Sequence, residues 1–203
     1  FKPMVIGTFI MVATYSLFYI MTAFAQAYSR TPATLSEAGY PMGLGIPANT
    51  FTGLLLMSAI VFAICISISG LYADKIGRRK WLIWTTVSIL IFALCMPLFL
   101  GNGTPTSVFA FLVIGMALMG MTFGPMAALL PELFPTEVRY SGASLAYNIA
   151  SIIGATIAAM ISLKINALYG LMGVGIYLAI NAFLTLLALL ASKETKNVDL
   201  TQI

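Results

Sequence analysis

Six stretches of this chain run for about twenty residues or more without an Asp, Glu, Lys, Arg or His: Met4–Tyr28, Asn49–Ala73, Trp81–Leu100, Ser107–Leu130, Ser141–Leu163 and Leu168–Ala191. At ~1.5 Å rise per residue, each can cross ~30 Å of hydrocarbon as a helix. Lipid offers the backbone no water to bond, so spanning segments must be helices or the strands of a closed barrel. Barrel strands alternate apolar and polar residues over short stretches, and none of these runs does. The chain is 61% hydrophobic and 8% charged, against ~25% charged in soluble domains. One buried helix cannot account for that balance. The expected fold is an all-α membrane protein with six transmembrane helices.

The charges between the runs set an orientation. An even number of spans puts both ends on one side, with Lys2, the Lys75–Lys80 loop, Arg139, Lys193 and Lys196. The other side holds Arg30 and Lys164. Eight basic residues of ten on one face predict that this face, and both termini with it, is cytoplasmic. The net charge of +4 is then the usual basic rim of a multi-pass protein in a lipid bilayer and implies no nucleic acid partner. Cys65 and Cys95 fall inside helices, too few for a disulfide scaffold. With no His and no carboxylate deep in a span, there is no donor set for a metal and no nucleophile–base pair for an intramembrane enzyme. No cofactor is expected. The first residue is Phe1 and the first span starts almost at once, so the chain is expected to be a piece of a longer protein.

One connection is long. Ser29–Ala48 holds Pro32, Gly39, Pro41, Gly43, Gly45 and Pro47 and reads as a turn-rich outer loop, with Asn49 or Thr50 capping the second helix. Three helices, a short outer loop and three more are compatible with a 3+3 inverted repeat.

Two segments resemble a known family. Gly70-Leu-Tyr-Ala-Asp74-Lys75-Ile-Gly77-Arg78-Arg79 is similar at every specified position to the cytoplasmic signature of the major facilitator superfamily. Pro131-Glu-Leu-Phe-Pro-Thr-Glu-Val-Arg139-Tyr-Ser-Gly142 resembles that superfamily's loop between the tenth and eleventh helices, in the form found in its metabolite:proton symporters. The tail Lys193-Glu194-Thr195-Lys196 resembles the ending of these carriers. The resemblance implies the C-terminal half, helices seven to twelve, of a secondary carrier in the cell (inner) membrane. Such a carrier moves a small-molecule metabolite, an organic acid or a zwitterion, with a proton as coupling ion. Its partner would be the N-terminal six-helix half of the same protein. It further implies that Asp74 and Arg78, with Gly70, Gly77, Arg79, Glu132 and Arg139, belong to a latch that closes the cytoplasmic ends in one conformer.

The residues support such a latch physically. Gly70 permits close helix approach and Gly77 a tight turn. Asp74 can accept from a neighbouring helix N-terminus, and the arginines can pair with Glu132, Glu137 or lipid phosphate. The plainer alternative is that the basic residues serve only as topology charges.

A solute path is expected along the first helix. Thr8, Tyr15, Tyr19, Thr22 and Gln26 succeed one another at seven, four, three and four residues, which at ~100° per residue confines them to an arc of roughly 60°. Polar groups in hydrocarbon need partners or water, so a stripe of this length is read as lining a cavity; interhelical glue is the alternative. Ser144, Asn148 and Ser151 form a shorter face on the fifth helix, with Asn148 its most polar member, and Ser151, Ala155 and Ala159 also read as a packing ridge. Ser58, Cys65 and Ser69 are a weaker set on the second. Gly120 and Gly124, with Pro125 next in the chain, mark a kink or a close contact in the fourth. The third and sixth helices read as lipid-facing.

Proton coupling needs a titratable group in the membrane. These spans have none, so that group is expected in the N-terminal half. A hexose carrier of the same superfamily is the nearest rival. The first helix lacks the Gln-Gln pair of that group, and Ala127, not Trp, comes after Gly124-Pro125-Met126. A carrier-like sensor that does not transport would keep every motif.

Overall fold

The computed structural model describes residues 2–192; the Lys193–Lys196 tail lies outside them. Six helices succeed one another: α1 Lys2–Arg30, α2 Ala48–Ile76, α3 Arg78–Leu94 with a short continuation Met96–Leu100, α4 Pro105–Glu132, α5 over 139–169 and α6 over 171–191. Among the described residues there is no strand beyond a single bridge between Leu35 and Pro41.

The helix ends show what starts and stops each run. α2 begins at Ala48 behind Pro47, not behind Asn49 or Thr50, and Asn49 Oδ1 instead accepts from Thr50 N inside the first turn, 2.9 Å. Pro47 cannot continue a helix backwards, because it confines its predecessor to extended backbone. α4 begins two residues earlier than hydropathy suggests, at Pro105, because the Thr104 side chain accepts from Ser107 N at 3.2 Å. Proline behind a threonine cap is a favourable first turn. In α3, Pro97 lacks the N–H that would bond the Ala93 carbonyl, and the helix is interrupted at Cys95.

Thr136–Ala191 forms one helical stretch of 56 residues, which if straight would be ~84 Å long, far more than a bilayer. Gly170 breaks it, at φ 68° and ψ −171°. A side chain there would be strained, and its Cβ would stand 2.6 Å from the Tyr40 ring. The turn expected at 164–167 is therefore a single glycine, and Lys164 belongs to α5. Contacts show that the chain reverses. Asn166 Nδ2 donates to Pro41 O (2.9 Å) near the break, whereas at the far end of α6 Arg79 donates to Leu189 O (2.7 Å) and Leu190 O (2.9 Å). The bundle thus has a Gly170 face, carrying the 31–47 loop, and a Gly77 face, carrying both short loops around Gly77 and Pro135.

The packing has the symmetry of an inverted repeat. Exchanging α1 with α4, α2 with α5 and α3 with α6 turns the α2–α4 pairing into α5–α1 and the α1–α6 pairing into α4–α3, and leaves α3–α6 in place; all five pairings are present. α2 and α4 pack closely. Their closeness comes from Gly120 and Gly124. A Cβ on Gly120 would lie 2.6 Å from Phe62 O, and one on Gly124 would lie 2.7 Å from Ile66 O and against Ser69 Oγ. Ser69 Oγ donates to Gly120 O across the seam at 3.0 Å. The close approach expected of Gly70 is thus made by these two glycines, and a Cβ on Gly70 would meet nothing within 4 Å. Pro125 removes the N–H that would serve the Met121 carbonyl. Trp81 Nε1 of α3 donates to that oxygen at 2.9 Å, so the missing N–H leaves no unsatisfied group in lipid.

α6 has two faces. Ile176, Ile180, Phe183, Leu187 and Leu190 are exposed at helical spacing, as a lipid-facing helix requires, but Asn181 and Thr185 are buried. The sequence reads this helix as lipid-facing, and the structure adds a second face that packs inward.

Candidate functional site

On the Gly77 face, the signature loop builds an ion cluster. Gly77 (φ 112°) turns the chain from α2 into α3 within one residue, and so sets Arg78 at the start of α3 beside Asp74 in the last turn of α2. An acid at a helix C-terminus is disfavoured by the dipole, and Arg78 offsets it: Nε and Nη2 each lie 3.1 Å from Asp74 Oδ1. Asp74 therefore takes a guanidinium rather than a helix N-terminus as its partner. Through Nη1 the same guanidinium donates to Glu132 Oε1 at the end of α4. The side chains of Arg78 and Glu132 are 21% and 12% exposed, that of Asp74 63%. Burial opposes the Arg78 charge, but Glu132 and then Asp74 outweigh it and hold the guanidinium above its usual pKa. Glu132 Oε2 is buried without a hydrogen-bond partner.

The other predicted latch residues are differently placed. Arg79 caps the last carbonyls of α6. Arg139 donates to Phe134 O and to Thr136 Oγ1, each at 3.3 Å, and so braces the connection before α5. Glu137 is exposed.

The α1 stripe is split by the structure. Ile20–Phe24 is a π-helical turn, which fits an extra residue into the helix and rotates the residues beyond Phe24 by roughly 100° from a uniform α-helix. The single 60° arc does not survive that insertion. Thr8 and Tyr15 are buried, whereas Tyr19, Thr22 and Gln26 are half-buried along the Gly170-side half of the helix. Thr22 Oγ1 donates to Phe18 O at 2.8 Å. Gln26, with its amide oriented to suit both neighbours, donates to Thr22 O (3.2 Å) and accepts from Arg30 (3.3 Å). Tyr15 packs edge-on against Tyr147 of α5, ring centroids 5.3 Å apart, and its hydroxyl is buried without a hydrogen-bond partner.

Between the Gly77-side halves of α1, α4 and α5 lies an open cavity of about 650 Å³. Met11, Phe123, Arg139, Tyr140, Ser144 and Tyr147 contribute to its walls. The walls are mainly apolar, with hydroxyls and one guanidinium as the means of orienting a polar solute. Asn148 is exposed beyond the cavity lining and donates to Ser144 O at 2.8 Å. Tyr140 and Tyr147 are the residues that sequence reasoning missed. Tyr140, Ser144 and Tyr147 recur at four and three residues, a helical face that counting the tyrosines of α5 would have found.

Comparison with known proteins agrees with this architecture. The family described as sugar (and other) transporter matches residues 41–203. A protein of Haemophilus influenzae named for metabolite transport is 86% identical over 202 residues, covering 100% of this chain and 46% of its own length. The inner membrane metabolite transport protein YhjE of Escherichia coli is 52% identical over 198 residues, 97% of this chain and 43% of that protein. The proline/betaine transporter of Salmonella typhimurium is 31% identical over 149 residues, 71% of this chain and 29% of that protein. The chain thus spans under half the length of the relatives it matches. No solved structure matches. These relatives are named as transport proteins, not enzymes. An all-helical membrane bundle with inverted-repeat packing, a complete cytoplasmic signature and this family match identify the chain as a member of the sugar (and other) transporter family, within the major facilitator superfamily.

Proposed function

We propose that this bundle is the C-terminal half of a metabolite:proton symporter working by alternating access, and that its solute is a small organic acid or zwitterion. The observation that carries the reading is the joint wall of α1 and α5. Tyr140, Ser144 and Tyr147 of α5, the last packed against Tyr15 of α1, put hydroxyls, and Arg139 a guanidinium, on the wall of an apolar cavity large enough for a metabolite, and the path continues from there along α1 past Tyr15 and Tyr19. The Gly77 face is cytoplasmic on the basic-residue bias. Asp74, Arg78 and Glu132 there form a latch, and the buried, unpartnered Glu132 Oε2 awaits a donor from the N-terminal half. The cores of the six spans hold no titratable acid, so the proton-carrying group belongs to that half too. The Arg139 guanidinium on the cavity wall can pair with a carboxylate, which an organic acid or zwitterion carries and a sugar lacks, and some relatives are named for proline and betaine.

Purified full-length carrier in proteoliposomes tests this. Radiolabelled glycine betaine, L-proline, 2-oxoglutarate and glucose are supplied with and without an inward proton gradient. At least one of the first three should accumulate several-fold with the gradient, and a protonophore should abolish the gain. Accumulation of glucose alone would favour the hexose reading. A full-length protein that binds but accumulates none of the four would favour a sensor.

A further inference from the structure

The polar groups of α6 are not scattered. Thr185 Oγ1 donates to Phe9 O at 2.6 Å and accepts from Ala13 N at 3.1 Å, so one hydroxyl bridges both ends of a single backbone rung of α1. One turn along, Asn181 Nδ2 donates to Ser16 Oγ at 2.9 Å, and Ser16 Oγ donates to Gly154 O at 3.3 Å. Gly154 belongs to the π-helical turn Ile152–Thr156 of α5. A Cβ there would stand 2.7 Å from Tyr15 Cβ and 2.8 Å from Val12 O. Thr185, Asn181 and Ser16 are 2%, 7% and 0% exposed. Three helices are thus tied by side chains that bond α1 at a fixed rotation, in a medium where apolar contact between helices gives little directional preference.

That rotation matters because Phe9, Ala13 and Ser16 lie about a third of a turn from Tyr15 and Tyr19. A helix held on one face presents the adjoining face at a set angle. We propose that Thr185 and Asn181 are positioning residues for the solute path: through Ser16 and the Phe9–Ala13 rung they set the rotation of α1, and with it the aim of Tyr15 and Tyr19. This rests on the reading that α1 lines that path. Valine at 185 keeps the shape and removes the bridge, leaving α1 free to close its own rung and turn; serine keeps the bridge. Substituting Ser16 by alanine cuts the same network from the other side, without touching α6.

The test uses the full-length carrier without Cys65 and Cys95, with Tyr19→Cys or Phe18→Cys as reporters of two adjacent faces and N-ethylmaleimide as the probe. With Thr185 in place, Tyr19→Cys should react faster than Phe18→Cys. Thr185→Val should shrink or reverse that ratio by about threefold or more. Thr185→Ser should restore it, and Ser16→Ala should mimic valine. If Thr185→Val does not fold, Ser16→Ala decides alone. An unchanged ratio in folded Thr185→Val or Ser16→Ala protein would overturn the inference. Failure of Tyr19→Cys to react even with Thr185 present would instead overturn the reading of α1 as a solute path.

Discussion

Replacing Arg78 by alanine in the full-length carrier should cut the transport rate at least tenfold, and Glu132→Gln should approach that loss. Asp74→Asn should do less. The ranking comes from burial. Arg78 is bonded to both acids, and Glu132 is far more enclosed than Asp74. Removing the cation leaves a buried carboxylate without a partner, which costs roughly 3–5 kcal/mol where both groups are fully buried and less at this partly open edge. A latch that favours one conformer by on the order of 1–3 kcal/mol slows the cycle when lost, because the carrier then dwells in the other. Binding should suffer less than turnover, since none of the three lies on the cavity wall. Initial uptake rates and binding titrations on well-folded variants give the ranking; an Asp74→Asn loss exceeding that of Arg78→Ala would contradict it.

Gly124→Val should destabilise the bundle more than any single substitution on its lipid-facing surfaces. The added atoms would meet Ser69 Oγ, Ile66 O at 2.7 Å and Gly70 N at 3.1 Å. Two of the three are backbone, so no rotamer change relieves them, and α2 must move off α4. Overpacking of this kind costs roughly 1–3 kcal/mol or more. Ser69→Gly in the same chain should recover only a minor part, because the backbone contacts remain. By contrast Gly70→Ala, which meets nothing within 4 Å, should leave the isolated half as stable as before. Thermal unfolding in detergent measures all three; a Gly124→Val bundle as stable as the parent would show that the α2–α4 seam yields easily.

Hydropathy located the helices because each span must be long and uncharged to sit in lipid, and that constraint acts on the sequence alone. Their ends were less visible. Thr104 and Pro47 move two starts by a turn or less, and Gly170 replaces a loop, because a cap or one positive φ is decided by a few local atoms. The Asp74–Arg79 signature was legible since its charges and glycines stand out in an apolar chain. What each arginine bonds was not, because Glu132 and the Leu189 carbonyl come from distant helices. The π-helical turns at Ile20–Phe24 and Ile152–Thr156 left no mark in residue type. Such a turn depends on its packing neighbours, here Ser16 and Tyr15 against Gly154, so extrapolating α-helical angles along α1 misplaced Gln26 relative to Tyr15. The sixth helix reads as lipid-facing from its apolar residues; the spacing of four between Asn181 and Thr185 was the available signal for its buried face.

The solute path is tested most directly by single cysteines at positions 15 to 27 of α1, in the full-length carrier free of Cys65 and Cys95, treated with N-ethylmaleimide with and without whichever solute accumulates in proteoliposomes. Ser36→Cys and Lys80→Cys serve as orientation controls in intact cells with an impermeant maleimide, the first expected to label and the second not. Reactivity should recur every three to four positions through Tyr19, slip by one residue across Ile20–Phe24, continue through Ala27, and be slowed by solute at Tyr15 and Tyr19. Labelling confined to the face of Leu17 and Phe24, or reactivity at Tyr15 and Tyr19 that solute leaves unchanged, would contradict the account.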